Sequence, residues 1–251
     1  MFQRLLPLVL VATAGALGGP LRYAEDRSPA IVNPVFATTM SEARLNELVF
    51  DGLFTDDPEL RTKPNLAQTW TLAPDKKALT IELRTDRTWH DGTPFTARDV
   101  VFTIQAMKNP ETASTEAGRV SFIQTATAEG DHRVRLEFNN EEWAPEEKLH
   151  FKILPAHKFT GTVIKRTDAF RTQPIGTGLF QLTGFNGDNS ISLKRSGGYS
   201  GDSLLEVQMR EVADKNYQAK LLMYESLEAL VCVLPRDLAA LQNDRKIELY
   251  P

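Results

Sequence analysis

The chain has 251 residues, of which 41% are hydrophobic and 25% charged, with a formal net charge of −4. The length suits one large domain or two small ones, and the composition is that of a folded globular protein. A mildly acidic chain without any block of like charges exerts no long-range pull on a polyanion, so no nucleic-acid partner is expected.

The first residues carry one positive charge, at Arg4, and Leu5 to Leu17 then run uncharged. Ala12-Thr13-Ala14 and Ala14-Gly15-Ala16 each fit a small-x-small cleavage site, as in a secretory signal peptide. The apolar run falls short of the ~20 residues of a spanning helix, and no other run of that length follows. Residues 1–16 are therefore expected to be removed on export, and no stable membrane insertion is expected.

Leu21 to Ala24 alternates and reads as a first strand, and the segment from Asp26 to Pro34 is rich in turn formers. Thr39-Met40-Ser41-Glu42 has the form of a capping box, in which the threonine hydroxyl and the glutamate carboxylate satisfy first-turn amides. The apolar spacing behind it predicts a helix over about 40–51, stopped near Gly52. Two strands, Thr69–Leu72 and Leu79–Arg84, flank a turn at 73–77. Thr96-Ala97-Arg98-Asp99 is a second capping box, on a helix with Val100, Val101, Ile104 and Met107 inward. Arg133–Phe138 is a strand with Val134, Leu136 and Phe138 on one face.

Residues 173–195 read as a hairpin turning at Asn186-Gly187, a pair suited to positive backbone dihedrals. A strand at Leu204–Arg210 follows, then a helix capped by Asp214 and running to about Tyr224, with Tyr217, Leu221 and Tyr224 on one face. Ala229–Val233 reads as a buried strand, Pro235 opens a short helix to about Gln242, and Ile247–Tyr250 is a last strand. The single cysteine, Cys232, lies in the apolar run LVCVLP and reads as a small buried hydrophobe; alone, it leaves no disulfide within the chain.

Reactive constellations are scarce along this framework. His90 and Asp91 stand side by side before Gly92, between a strand and a helix, with no nucleophile or orienting third group nearby, so the pair reads as part of a turn. His150 and His157 are separated by Pro155, which does not suit a metal-binding helix. Gly176-Thr177-Gly178 lacks the third glycine of a dinucleotide fingerprint and precedes a strand. Trp70, Trp89 and Trp143 are able to stack a ligand, although packing is the commoner use of such residues. No catalytic residue, metal ligand or cofactor is expected, and on its own chemistry the chain reads as an exported binding or structural module.

Taken together and in order, several segments resemble those of the family 5 extracellular solute-binding proteins, the dipeptide, oligopeptide and nickel receptors of ABC importers. Pro64 to Trp70, PNLAQTW, is similar to the family's P-x-L-A-x-x-W. The run from Leu83-Arg84 through Trp89-His90-Asp91-Gly92-Thr93-Pro94-Phe95-Thr96-Ala97-Arg98-Asp99-Val100 resembles its H-D-G-x-P-x-T-A-x-D-V signature. Gly176 to Phe180 resembles G-T-G-P-Y, with Leu179 in place of proline. Phe50 to Leu53 fits Y-E-G-L, and Ile153 to His157 fits I-x-P-x-H.

The resemblance implies a type II periplasmic-binding-protein-like first lobe, mixed α/β, with an inserted strand-rich subdomain. Residues 17–49 and 173–251 would form the lobe core and 50–172 the subdomain. Family members are about twice this length, so the second lobe is expected to be absent. Glu225-Ser226-Leu227-Glu228 stands where the family carries G-E-x-D. The implied function is capture of a small solute, most often a peptide, in the periplasm and its delivery to ABC permease subunits. The loop after the first strand lines the cleft in peptide receptors, which maps to Ser28, Pro29 and Ala30. Phe102 falls at an aromatic position that faces ligand in relatives, or else serves the core. An exported structural or interaction protein made from a degenerate receptor half is the alternative reading, and an enzyme is a third.

Overall fold

The computed structural model describes residues 19–197, 204–224, 226–231 and 234. The expected signal segment, Cys232, the helix from Pro235 and the strand at Ile247–Tyr250 lie outside them. In chain order the elements are β1 (Leu21–Glu25), α1 (Met40–Val49), β2 (Phe54–Asp56), β3 (Thr62–Pro64), β4 (Ala67–Leu72), β5 (Ala78–Leu83) and α2 (Ala97–Lys108). They continue with β6 (Ile123–Ala128), β7 (Arg133–Phe138), β8 (Phe180–Phe185), β9 (Ile191–Arg195), β10 (Glu206–Glu211), α3 (Lys215–Met223) and β11 (Ala229–Leu230). Five short 3₁₀ turns join them among the described residues. The class is mixed α/β, as the sequence leads one to expect. The chain divides into two compact units, one of residues Ala30–Gln181 and one made of the segment up to Pro29 with the chain from Leu182 onward.

The larger unit is built on a four-stranded antiparallel sheet in the order β4-β5-β7-β6. Alternation sets its inner face: Leu79, Ile81 and Leu83 of β5 and Val134, Leu136 and Phe138 of β7 are all buried. The register sets Leu79 against Leu136 and Ile81 against Val134, so the apolar rows of two strands coincide. Thr80, Glu82, Arg135 and Glu137 take the opposite, wetter face. Helix α2 packs on β6 and β7 with Val100, Ile104 and Met107 buried. Val101, expected inward, is only half-buried. At α1 the capping box forms as read: Thr39 Oγ1 accepts from Glu42 N (3.2 Å) and Glu42 Oε2 accepts from Thr39 N (3.2 Å).

Helix α1 ends at Val49, earlier than expected, because Phe50 turns to extended backbone (φ −124°, ψ 144°). Gly52 does not stop the helix. It forms an isolated antiparallel bridge with Lys152, where three backbone oxygens lie 3.0 Å from the position of a Cβ. The short β2–β3 ribbon and β6 are additions to the strands read from sequence. Trp89 is buried, Trp70 meets Phe54 edge-on at 4.9 Å, and Trp143 is 75% exposed with the Lys76 ammonium over its ring.

The smaller unit carries a five-stranded sheet in the order β11-β1-β10-β9-β8. Its centre is parallel: β1 pairs with both β10 and β11, whereas β9 runs antiparallel to β10. The β8–β9 turn places its positive φ at Asn189 (60°), not at the Asn186-Gly187 pair. Asp188 explains the shift: its side chain accepts from Ser190 N and Ser190 Oγ, which fixes a wider loop closed by Asn186 N donating to Ser190 O (2.8 Å). Helix α3 is capped by Asp214, as expected, and buries Gln218, Ala219 and Leu222. Tyr217 and Tyr224, expected to share a face, mark the exposed side (54% and 79%). Leu222, Leu227 and Leu230 enclose Ala24, and Arg22 pairs with Glu228, so β11 is fastened to β1 by both packing and charge.

Candidate functional site

Within the larger unit the His90-Asp91-Gly92 turn closes through Gly92 N to Trp89 O (2.8 Å) and Trp89 N to Thr93 O (2.8 Å). Gly92 takes a positive φ of 84°, which glycine adopts without steric cost. His90 then reaches across the chain to the Gly176-Thr177-Gly178 segment. Its backbone N–H donates to Gly176 O (2.8 Å), its Nδ1 accepts from Gly176 N (3.2 Å), and its Nε2 donates to Gly178 O (2.9 Å). An amide donor on one ring nitrogen and a carbonyl acceptor on the other fix the neutral, Nε2-protonated tautomer. Burial lowers the His90 pKa, outweighing the Gly178 carbonyl and the charges of Asp51 and Asp91, which favour the cation. With both ring nitrogens committed to backbone, His90 has no position from which to take a substrate proton.

The two glycines are required by closeness. A Cβ at Gly176 would lie 1.7 Å from Val49 O, and one at Gly178 would lie 2.6 Å from Leu48 O. Gly178 N donates to Val49 O (2.9 Å), so the segment lies directly on the last carbonyls of α1.

Asp91 accepts from His157 Nε2 (2.8 Å), Lys158 Nζ (2.8 Å) and Thr93 N (3.1 Å). Burial works against its ionisation, but Lys158, His157 and Thr93 outweigh it and hold the carboxyl well below the usual carboxylate range. Asp99, at the start of α2, accepts from Thr96 N (2.9 Å), Ala156 N (2.8 Å) and Trp89 Nε1 (3.3 Å). Burial raises its pKa despite those donors. Thr103 Oγ1 adds a bond from Leu154 N (2.9 Å). Phe102 stacks on Phe159 at 5.2 Å and 22°, and Phe159 continues to Phe170. Segment 154–159 is thus strapped to the α2 face, and the chemistry of this cluster is positional.

In the smaller unit, the carboxyl ends of parallel β1 and β10 face the same way, with Glu25 and Glu211 in register. The loop leaving β1 is held from three directions. Ser28 N donates to Glu211 Oε2 (3.1 Å), Asp26 pairs with Lys215, and Gln218 Nε2 donates to Asp26 Oδ1 (3.2 Å). In open α/β sheets this strand end is where ligands bind. Ser28 is half-buried and Pro29 buried; Ala30 is exposed and falls, like the buried Phe102, in the larger unit. Among the described residues no group of three or more His, Cys, Asp or Glu is arranged to hold a metal, and no helix is long and apolar enough to cross a membrane.

In the sequence the H-D-G, G-T-G and I-x-P-x-H stretches stand as separate matches. The contacts that unite them span 66 to 88 residues of chain, and no spacing rule reports them. Their joint occurrence in one order along the chain was the available signal.

A family model described as "Bacterial extracellular solute-binding proteins, family 5 Middle" matches residues 61–250. Among curated proteins, "Protein XP55" of Streptomyces lividans is 30% identical over 200 residues, covering 78% of this chain and 36% of that protein. The "Periplasmic oligopeptide-binding protein OppA" of Haemophilus influenzae is 33% identical over 101 residues, covering 40% of this chain and 19% of that protein. Among solved structures, NikZ from Campylobacter jejuni in complex with Ni(L-His) matches with a TM-score of 0.80 at 25% identity, covering 90% of this chain and 45% of that one. The oligopeptide-binding protein AppA from Bacillus subtilis, in complex with a nonapeptide, shares the fold with a TM-score of 0.83 at 20% identity, covering 91% and 47%. The chain spans less than half the length of each.

Proposed function

The chain belongs to the bacterial extracellular solute-binding proteins, family 5, and from that premise we propose that it captures a peptide or similar small solute in the periplasm and delivers it to the permease of an ABC importer. The observation that carries this reading is the family match over residues 61–250, which takes in the junction of the H-D-G and G-T-G stretches. Relatives named as peptide-binding support a peptide as the solute.

In this reading Ser28 and Pro29, beyond the carboxyl end of β1, offer ligand contacts in the smaller unit. The Ser28 N–H is already taken by Glu211 and Pro29 has none, so these two residues contribute carbonyls and surface rather than amide donors. In the larger unit, taken by itself, exposed Ala30 is the proposed contact, and Phe102 is either a contact or, stacked on Phe159, a core residue. Export follows from cleavage of residues 1–16. Reconstitution with the permease tests the assignment: labelled peptide should enter proteoliposomes only when this protein is supplied, and uptake without it would overturn the reading.

A further inference from the structure

We propose that the open edge of β6 pairs with the same edge of a second copy of this chain, antiparallel and centred on Thr127, so that two four-stranded sheets join into one. The inference concerns the larger unit alone and is independent of the solute-capture reading above.

β6 ends the sheet order β4-β5-β7-β6 and has β7 as its neighbour on one side only. Glu129 N donates to Arg133 O (2.9 Å) across the turn to β7. The register continues with Thr127 opposite Arg135 and Thr125 opposite Glu137. In an antiparallel ladder alternate residues exchange bonds with the partner strand, and those between them point away. Thr125 and Thr127 therefore bond to β7, and Ala126 and Ala128 turn their N–H and C=O groups outward. Among the described residues no hydrogen bond from another segment reaches these outward groups.

Sheet edges are commonly guarded by charge, proline or a bulge. Here the guard is confined to one end. A register shift lies between Ile123 and Thr125, and Lys108 Nζ donates to Ile123 O (2.7 Å) and Gln124 O (3.0 Å). Beyond it, Thr125 to Ala128 carry neither charge nor proline, and Thr125 and Thr127 are exposed.

The same guard selects the occupant and its register. Pairing Ala126 with Ala128 of the second copy, and the reverse, uses only the free groups and leaves the carbonyls held by Lys108 undisturbed. It sets Thr127 against its own counterpart on the two-fold axis and Thr125 against Glu129 of the second copy. Exposed Glu129 then lands one residue from Gln124, whose carbonyl holds the Lys108 ammonium. Two-fold symmetry makes this match of charge twice, whereas a parallel pairing sets like ends together. The contact is short, so the dimer is transient.

Sedimentation velocity on the exported chain tests this from about 1 µM to 1 mM, the range of weak contacts. The weight-average mass should climb toward that of two chains. Thr127→Lys sets like charges face to face on the axis and should remove the dimer without lowering Tm, since Thr127 is exposed. Glu129→Lys should weaken association about tenfold. In a Cys232→Ser background, Thr127→Cys should give a disulfide-linked dimer on mild oxidation. Opposed residues that exchange no backbone bonds bring their Cα atoms to about 4.5 Å, within disulfide reach. Thr125→Cys, which faces Glu129 rather than its own counterpart, should link far less. A chain that stays monomeric throughout, a dimer that Thr127→Lys leaves intact, or linkage as strong from Thr125→Cys as from Thr127→Cys overturns the edge pairing and leaves solute capture standing.

Discussion

Replacing His90 with alanine tests the assignment of the H-D-G stretch to architecture. The substitution deletes an acceptor for Gly176 N (3.2 Å) and a donor to Gly178 O (2.9 Å) and leaves both backbone groups short of a partner at a part-buried position. At about 1–2 kcal/mol for each group so stranded, His90→Ala should lose about 2–4 kcal/mol of stability. For a chain of this size that is a fall of roughly 5–15 °C in Tm. Urea titration followed by tryptophan fluorescence reads it, with buried Trp89 next in sequence as the reporter. The pH dependence supplies a second check. The folded-state pKa of His90 lies below its ordinary 6.5, so between those two values the unfolded chain binds more protons. This contribution to stability is complete above pH 6.5 and is lost as pH falls toward the folded value. The His90→Ala variant should lack that part of the acid-side slope. Affinity for solute should stay within a few-fold of the unmodified protein. A hundredfold loss of affinity with stability intact, or a stability change below about 0.5 kcal/mol, would refute the reasoning.

Gly176→Ala should cost about 3 kcal/mol or more, because its methyl would meet Val49 O at 1.7 Å; circular dichroism and soluble yield check this, and native-like melting would contradict so close a packing of the two backbones. Glu228→Gln should destabilise the smaller unit by about 1–2 kcal/mol, since Glu228 accepts from Arg22 N (2.6 Å) and from the Arg22 guanidinium; hydrogen exchange at β1 and β11 should rise, and unchanged exchange would show the pair to be incidental. N-terminal sequencing of the exported protein should find cleavage after Ala14 or Ala16, and a retained Met1 in the periplasm would refute the export signal.

Local rules made much of the secondary structure legible. The capping box at Thr39 lies where the first-turn chemistry places it, the Asp99 carboxylate reaches back to Thr96 as its box requires, and alternation located β5 and β7. The errors arose where a neighbour overrode local preference. Gly52 reads as a helix stop, yet its lack of a side chain serves a bridge to Lys152, about a hundred residues away. The Asn186-Gly187 pair yielded to the Asp188 side chain, and the tyrosines of α3 yielded the buried face to Gln218 and Leu222. The candidate site was the least legible. Pairing of His90 with Gly176 and Gly178, of Asp91 with His157, and of Gln218 with Asp26 depends on tertiary closure that no periodicity encodes.

The central claim is that this chain captures a small solute, and the most direct measurement is a thermal-shift screen of peptides, nickel complexes and sugars with hits confirmed by calorimetry. A ligand that binds only the folded state stabilises it by about 2.7 kcal/mol at a hundredfold excess over its Kd. At least one solute, with short peptides foremost, should raise Tm in a saturable, one-to-one manner. A correctly folded chain whose Tm is unmoved by every class at saturating concentration would contradict it.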